Sequence, residues 1–144
     1  MKILAFALLL AAAPFAIAAP VPKELKKEEK LDGVWELISL ESFGQTRVPP
    51  KQRWKFEGEK IVVEQGIPNG AARVRPPVTI KVDAGALPKS LDYNAGGERN
   101  MRPAIYEVDG DTLRILLNAR STDRPKLMKS DEAFVMYVFK RVQE

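Results

Sequence analysis

The 144-residue chain contains neither cysteine nor histidine. Without cysteine there can be no disulfide, no thiolate metal site, no cysteine nucleophile and no lipid-modified cysteine at a processing point. Without histidine there is no His-ligated haem, no ordinary zinc site and no Ser-His or Cys-His nucleophile system. Carboxylates are the remaining groups for acid–base chemistry, which needs a pair facing a cleft. Asp92, Asp109 and Asp111 instead sit among turn residues, where Asp hydrogen-bonds its own backbone. "DGD" at Asp109–Asp111 also lacks the spaced oxygen ligands of a calcium loop. The expectation is a protein that is not an enzyme, with no cofactor and no metal.

The first twenty residues, "MKILAFALLLAAAPFAIAAP", differ from everything after them. Lys2 gives a short positive start, Ile3 to Ala13 is apolar, and Ala16-Ile17-Ala18 is a small-x-small cleavage site. The apolar run is broken by Pro14, rich in alanine and barely long enough to cross a bilayer. The sequence therefore divides into a signal peptide over 1–18, a polar leader over 19–30 and one domain over 31–144. The expected product is exported, periplasmic or secreted, with no stable membrane anchor after cleavage. A proline followed by good helix formers in "PKELKKEEKL" makes a short helix in the leader possible. A domain of this size can bury enough surface to stand without disulfides.

Lys and Arg number 23 against 19 Asp and Glu, a formal charge of +4. The two signs are interleaved, as in "PKELKKEEKLDG", so there is no concentrated basic stripe of the kind that holds nucleic acid. No nucleic-acid partner is expected, and no protein partner is legible. "NAGGERN" (Asn94–Asn100) is the most flexible-looking loop, but it lacks the glycine spacing that cradles phosphate.

From Gly33 onward the pattern has period two. Trp54 and Phe56 alternate with Arg53, Lys55 and Glu57, and Val78, Ile80 and Val82 alternate with Thr79, Lys81 and Asp83. Leu113, Ile115 and Leu117 oppose Thr112, Arg114 and Asn118, and "AIYEV" reaches that strand across the hairpin signal Asp109-Gly110. Glu57-Gly58-Glu59 marks another turn. "AFVMYVFKRV" is apolar on both faces over Phe134–Phe139, as at a covered strand. These are seven to nine short strands with one polar face each, compatible with an antiparallel sandwich or a closed barrel.

Gly33-Val34-Trp35 at the start of the first strand, with Arg141 near the end of the last, resembles the lipocalin signature. The resemblance implies that Trp35 plugs the closed end of a barrel and that Arg141 packs across its indole, with Gly33 allowing close backbone approach. The ordered set Gly33, Trp35, Trp54, Phe56, Pro88, Lys89, Asp92, Ile105, Tyr106, Gly110, Asp111, Leu113, Arg124 and Pro125 further resembles an uncharacterised lipocalin-like domain family abundant in planctomycete bacteria. Members often carry a cysteine on the strand that holds Leu113, and this chain does not. The resemblance implies an all-β fold, an antiparallel lipocalin-like barrel of about eight strands, and brings no activity with it.

A barrel of that size either fills its interior with side chains or holds one small ligand. The functional expectation is a small apolar or amphipathic ligand inside the barrel. Ile80, Leu113 and Ile115 would line it, and Tyr106 or Tyr137 would supply a polar contact. Arg102 and Arg114 are further possible anchors for a carboxylate, with Arg114 on the polar face of its strand. The alternative is a filled barrel serving as a cell-envelope interaction or structural module, with Trp54, Phe56, Tyr106, Phe134, Met136 and Phe139 filling the interior.

Overall fold

Alternation of apolar and polar residues, punctuated by glycine turns, underlies most of the ten strands, and there is no α-helix among the described residues. A computed structural model describes residues 30–66, 70–94, 100–118 and 120–143. The expected signal peptide, most of the expected leader with its possible helix, and the centre of the "NAGGERN" loop lie outside them. The strands are β1 (Gly33–Ser42), β2 (Gln45–Arg47), β3 (Gln52–Glu57), β4 (Lys60–Gln65), β5 (Arg73–Val74), β6 (Val78–Asp83), β7 (Ser90–Asn94), β8 (Met101–Asp109), β9 (Thr112–Asn118) and β10 (Phe134–Arg141).

Each strand pairs antiparallel with its neighbour in the order β1-β3-β4-β6-β7-β8-β9-β10, and β10 pairs back onto β1. The sheet is a closed eight-stranded barrel, which leaves no free edge along the main ring. The two-residue β5 and three-residue β2 are additions, pairing with β4 and β1. They are too short for periodicity to reveal. Gly58 and Gly110 take positive φ (58° and 57°) in the β3–β4 and β8–β9 turns, the conformation that a side chain disfavours.

One register irregularity shapes the interior. Leu37 pairs with Phe139 and Leu40 with Tyr137, but a β-bulge at Ile38 intervenes. The bulge shifts the parity of β1, so Leu37 and Leu40, three residues apart, both join the inner cluster. Ile38 itself is left half exposed.

The inner faces form one apolar cluster running from Trp35 and Leu37 through Trp54, Phe56 and Ile61 to Leu113, Ile115 and Phe139. A second, smaller cluster lies outside the barrel. Ile105, Leu116, Met136 and Val138 face outward from β8, β9 and β10, packed with Met128 and Phe134. The connection from β9 to β10 carries Met128 and a fully buried Pro125 over this face. That cover explains the two-sided apolar run of β10. It also corrects the expectation for Phe134 and Met136, which pack beneath the strap and not in the barrel interior.

The strap is tied at two places. Arg124 Nη1 donates to Ala104 O at 2.9 Å, and its Nη2 lies 2.7 Å from Asp92 Oδ1. Asn118 starts the strap by accepting from the amides of Arg120 and Ser121 at 2.9 and 2.8 Å.

Candidate ligand-binding site

The two ends of the barrel are built differently. At the end where β1 begins and β10 finishes, Trp35 is completely buried and its Nε1 donates to Leu31 O at 2.8 Å. Arg141 Cζ sits 4.0 Å from the centre of the Trp35 ring. Its guanidinium donates to Asp32 O at 3.0 Å and to Lys30 O at 2.8 Å, so the chain entering β1 is held across the barrel end. Asp32 also accepts from the Gly58 amide of the β3–β4 turn at 3.0 Å. Gly33 has φ +126°, and a Cβ there would stand 3.0 Å from Arg141 Nη1. Gly33, Trp35 and Arg141 thus form one sealed unit.

Above that plug the interior is filled. Leu113, Ile115 and Ile80 are 0, 1 and 2 % exposed, so they face almost no space that water could enter. In this structure they are walls of a packed core. Tyr106 is also buried in the cluster, and burial raises its hydroxyl above the ordinary tyrosine range, with the Asp83 carboxylate adding to the rise. Asp83 ends β6 at the sealed end, so Tyr106 answers to that end of the barrel. Arg114 faces Glu107 on the outer surface at 3.7 Å. Asp111 lies 4.0 Å from Arg141 Nε, and Asp92 belongs to the strap.

The opposite end is less closed. Leu40, Tyr93 and Tyr137 are only partly buried and pack on the inner cluster from above. Trp54 links the levels: it is the cross-strand partner of Trp35, and its ring centre lies 4.9 Å from Phe139 and 5.8 Å from Tyr137. Its Nε1 is buried without a hydrogen-bond partner among the described residues, although the residue is 7 % exposed. A buried donor left unmade costs about 1–3 kcal/mol, so such a group stands out in a core otherwise made of hydrocarbon.

Tyr93 and Arg102 are cross-strand partners on β7 and β8. Arg102 shares its parity with inward-facing Ala104 and Tyr106, and Tyr93 shares its own with Leu91. Burial raises the Tyr93 hydroxyl, nearby Tyr137 raises it further, and Arg102 partly opposes the rise. Burial also raises Tyr137. The structure therefore brings Tyr137 together with Tyr93, Arg102 and Trp54. Tyr93 was not singled out by sequence reasoning, although Leu91 and Tyr93 alternate in "SLDY" as inward residues do. Arg102, expected from the sequence as a possible carboxylate anchor together with Arg114, differs from Arg114 in sharing the spacing of inward Ala104 and Tyr106.

A groove of about 330 Å³ lies outside the barrel at this end, bordered by Lys51, Arg53, Glu64 and Gly66. Arg53 there is already engaged by Glu36 at 3.3 Å. No group of three or more metal-ligating side chains occurs among the described residues. No protein-family model, no curated protein and no solved structure matches the chain.

Proposed function

We propose that this protein is an exported, lipocalin-like binding barrel that takes a small amphipathic molecule at the open end of its interior and catalyses no reaction. The observation that carries the reading is the asymmetry of the barrel. One end is sealed by Trp35, Arg141 and the bonded chain at Lys30–Asp32. The other presents half-buried Leu40, Tyr93 and Tyr137 around a buried indole whose N–H has no partner among the described residues. A site of apolar walls with a few convergent polar groups is how small-molecule sites are built. Export rests on the leader, with its positive start, apolar run and Ala16-Ile17-Ala18. The lipocalin-like assignment rests on the barrel together with the placing of Gly33, Trp35 and Arg141.

The packing limits the ligand's size. Because Leu113, Ile115 and Ile80 have no free surface, the bound molecule sits near the mouth and does not run the length of the barrel. The same packing favours the second reading, a filled barrel serving as an envelope interaction module. Titration with a hydrophobic fluorescent dye and a panel of short amphiphiles, with native mass spectrometry of protein from its own host, separates the two. Saturable one-to-one binding that quenches tryptophan emission supports the binding barrel. Absence of saturable binding across the panel transfers the assignment to the interaction module.

A further inference from the structure

Four arginines lie on the eight strands of the barrel ring. Arg53, Arg114 and Arg141 each have a carboxylate within 4.0 Å, from Glu36, Glu107 and Asp111. Arg102 has no ion-pair partner among the described residues. It shares inward parity with Arg141, but Arg141 is spent on the Trp35 plug at the sealed end and Arg102 lies at the opposite end of the core. The strand partner beside it is Tyr93, whose hydroxyl is within electrostatic reach of Tyr137. Among the described residues no acidic residue is buried, so none lies within the core on which these groups rest. A half-buried cation over an apolar floor keeps its charge only by contact with water or an anion, because leaving it unpaired in a dry site is costly.

We infer that the ligand of this site is a small organic monoanion, its carboxylate held by Arg102 with Tyr93 and Tyr137 and its apolar body lying against Leu40, Tyr137 and Trp54. The inference rests on the proposed binding function and specifies its chemistry. The planar guanidinium fork matches a carboxylate and can engage both oxygens. Neutral phenols, kept protonated by burial, donate to the remaining lone pairs. One cation balances one negative charge, so a monocarboxylate is the matched head group. The filled core restricts the body to a short chain or a single ring.

The test compares octanoate with 1-octanol, which share a chain length and differ in head group. Binding is read by quenching of Trp54 in a Trp35→Phe background and by calorimetry on the wild-type chain. Octanoate is expected to bind at least ten-fold more tightly than octanol. Arg102→Gln should remove that preference, Arg102→Lys should keep part of it, and Tyr93→Phe should reduce it. Unchanged circular dichroism and melting temperature establish that the variants are folded. Equal binding of octanoate and octanol, unaffected by Arg102→Gln, would overturn the anion assignment while leaving the binding barrel standing. Failure of both compounds and of the dye to bind saturably would overturn the binding function itself, and the anion assignment with it.

Discussion

Arg141 lies over the face of Trp35 with its guanidinium carbon 4.0 Å from the ring centre, while the same guanidinium holds the carbonyls of Lys30 and Asp32. The contact therefore does two things at once. It covers the indole, and it fastens the incoming chain over the end of the barrel. A stacked cation is worth roughly 0.5–1 kcal/mol when partly solvated. Two charge-assisted bonds to backbone, discounted because the side chain is about a quarter exposed, add about 1 kcal/mol more. Arg141→Ala should thus lower stability by about 2 kcal/mol. Arg141→Lys should recover little, since an ammonium cannot stack and bridge both carbonyls. Trp35→Ala should cost about 3–5 kcal/mol as a large core truncation. A denaturant double-mutant cycle giving no coupling between the two positions would show that the stack contributes nothing.

Gly33 makes a separate prediction because two costs coincide there. Its φ of +126° is unfavourable for any side chain, and an added Cβ would approach Arg141 Nη1 to 3.0 Å. Gly33→Ala should cost about 1–3 kcal/mol. Combining it with Arg141→Ala should remove the steric share and leave the backbone share. The double variant should therefore be less destabilised than the sum of the two single changes. Strict additivity in urea melts would mean that the guanidinium moves aside without cost.

The roles of Trp35, Gly33 and Arg141 were legible in the sequence through the resemblance of Gly33-Val34-Trp35 and a late-strand arginine to the lipocalin signature. The strand positions of Trp54, Phe56, Ile80, Leu113 and Ile115 were legible for a different reason, since period two is a local signal. The bulge at Ile38 was not, because parity is broken by pairing with β10, a partner nearly a hundred residues away. The outward destination of Phe134 and Met136 was hidden too. An apolar run on both faces says that a strand is covered twice, but not which face meets the interior. The open end was the least legible part. Tyr93, Arg102 and Tyr137 come from three strands, and only closure of the ring places them at one mouth.

The β9–β10 strap should open before the barrel does. Arg124 fastens it through Ala104 O and Asp92, and the strap carries Pro125 and Met128 over the outer patch of Ile105, Leu116, Phe134, Met136 and Val138. Arg124→Ala should lower global stability by only about 1 kcal/mol, because the guanidinium is over a third exposed. Local opening should rise more visibly. Faster hydrogen exchange at Ser121 and Phe43, whose amides bond Asn118 and Asp131, is the expected readout, with increased binding of a hydrophobic dye. Leu113→Ala gives the contrast: about 2–5 kcal/mol of global loss without selective opening of the strap. Equal exchange in wild type and Arg124→Ala would mean that the apolar contacts alone hold the strap.

The last prediction concerns alkaline pH. Tyr93, Tyr106 and Tyr137 are all the tyrosines in the chain, and burial raises every one of them above the ordinary tyrosine value. In the unfolded chain a phenol loses its proton near its ordinary value, whereas in the barrel it keeps the proton to higher pH. Above that value the unfolded state binds fewer protons than the folded one, so stability must fall as pH rises. Below it both states are protonated and the contribution is complete. The chain has no histidine, so no side chain with an ordinary neutral-range pKa adds a slope between the carboxylate and amine regions. Stability measured in urea should therefore be nearly level through neutrality and decline once the pH passes about 10. Phenolate absorbance should stay low in the native protein at a pH where the urea-unfolded chain already shows three ionised tyrosines. Tyr137→Phe should make the alkaline decline shallower, since one of the three linked groups is gone. Native phenolate appearing at the same pH as in the unfolded chain would show that the hydroxyls reach water freely, and the mouth would then be far more open than its packing indicates.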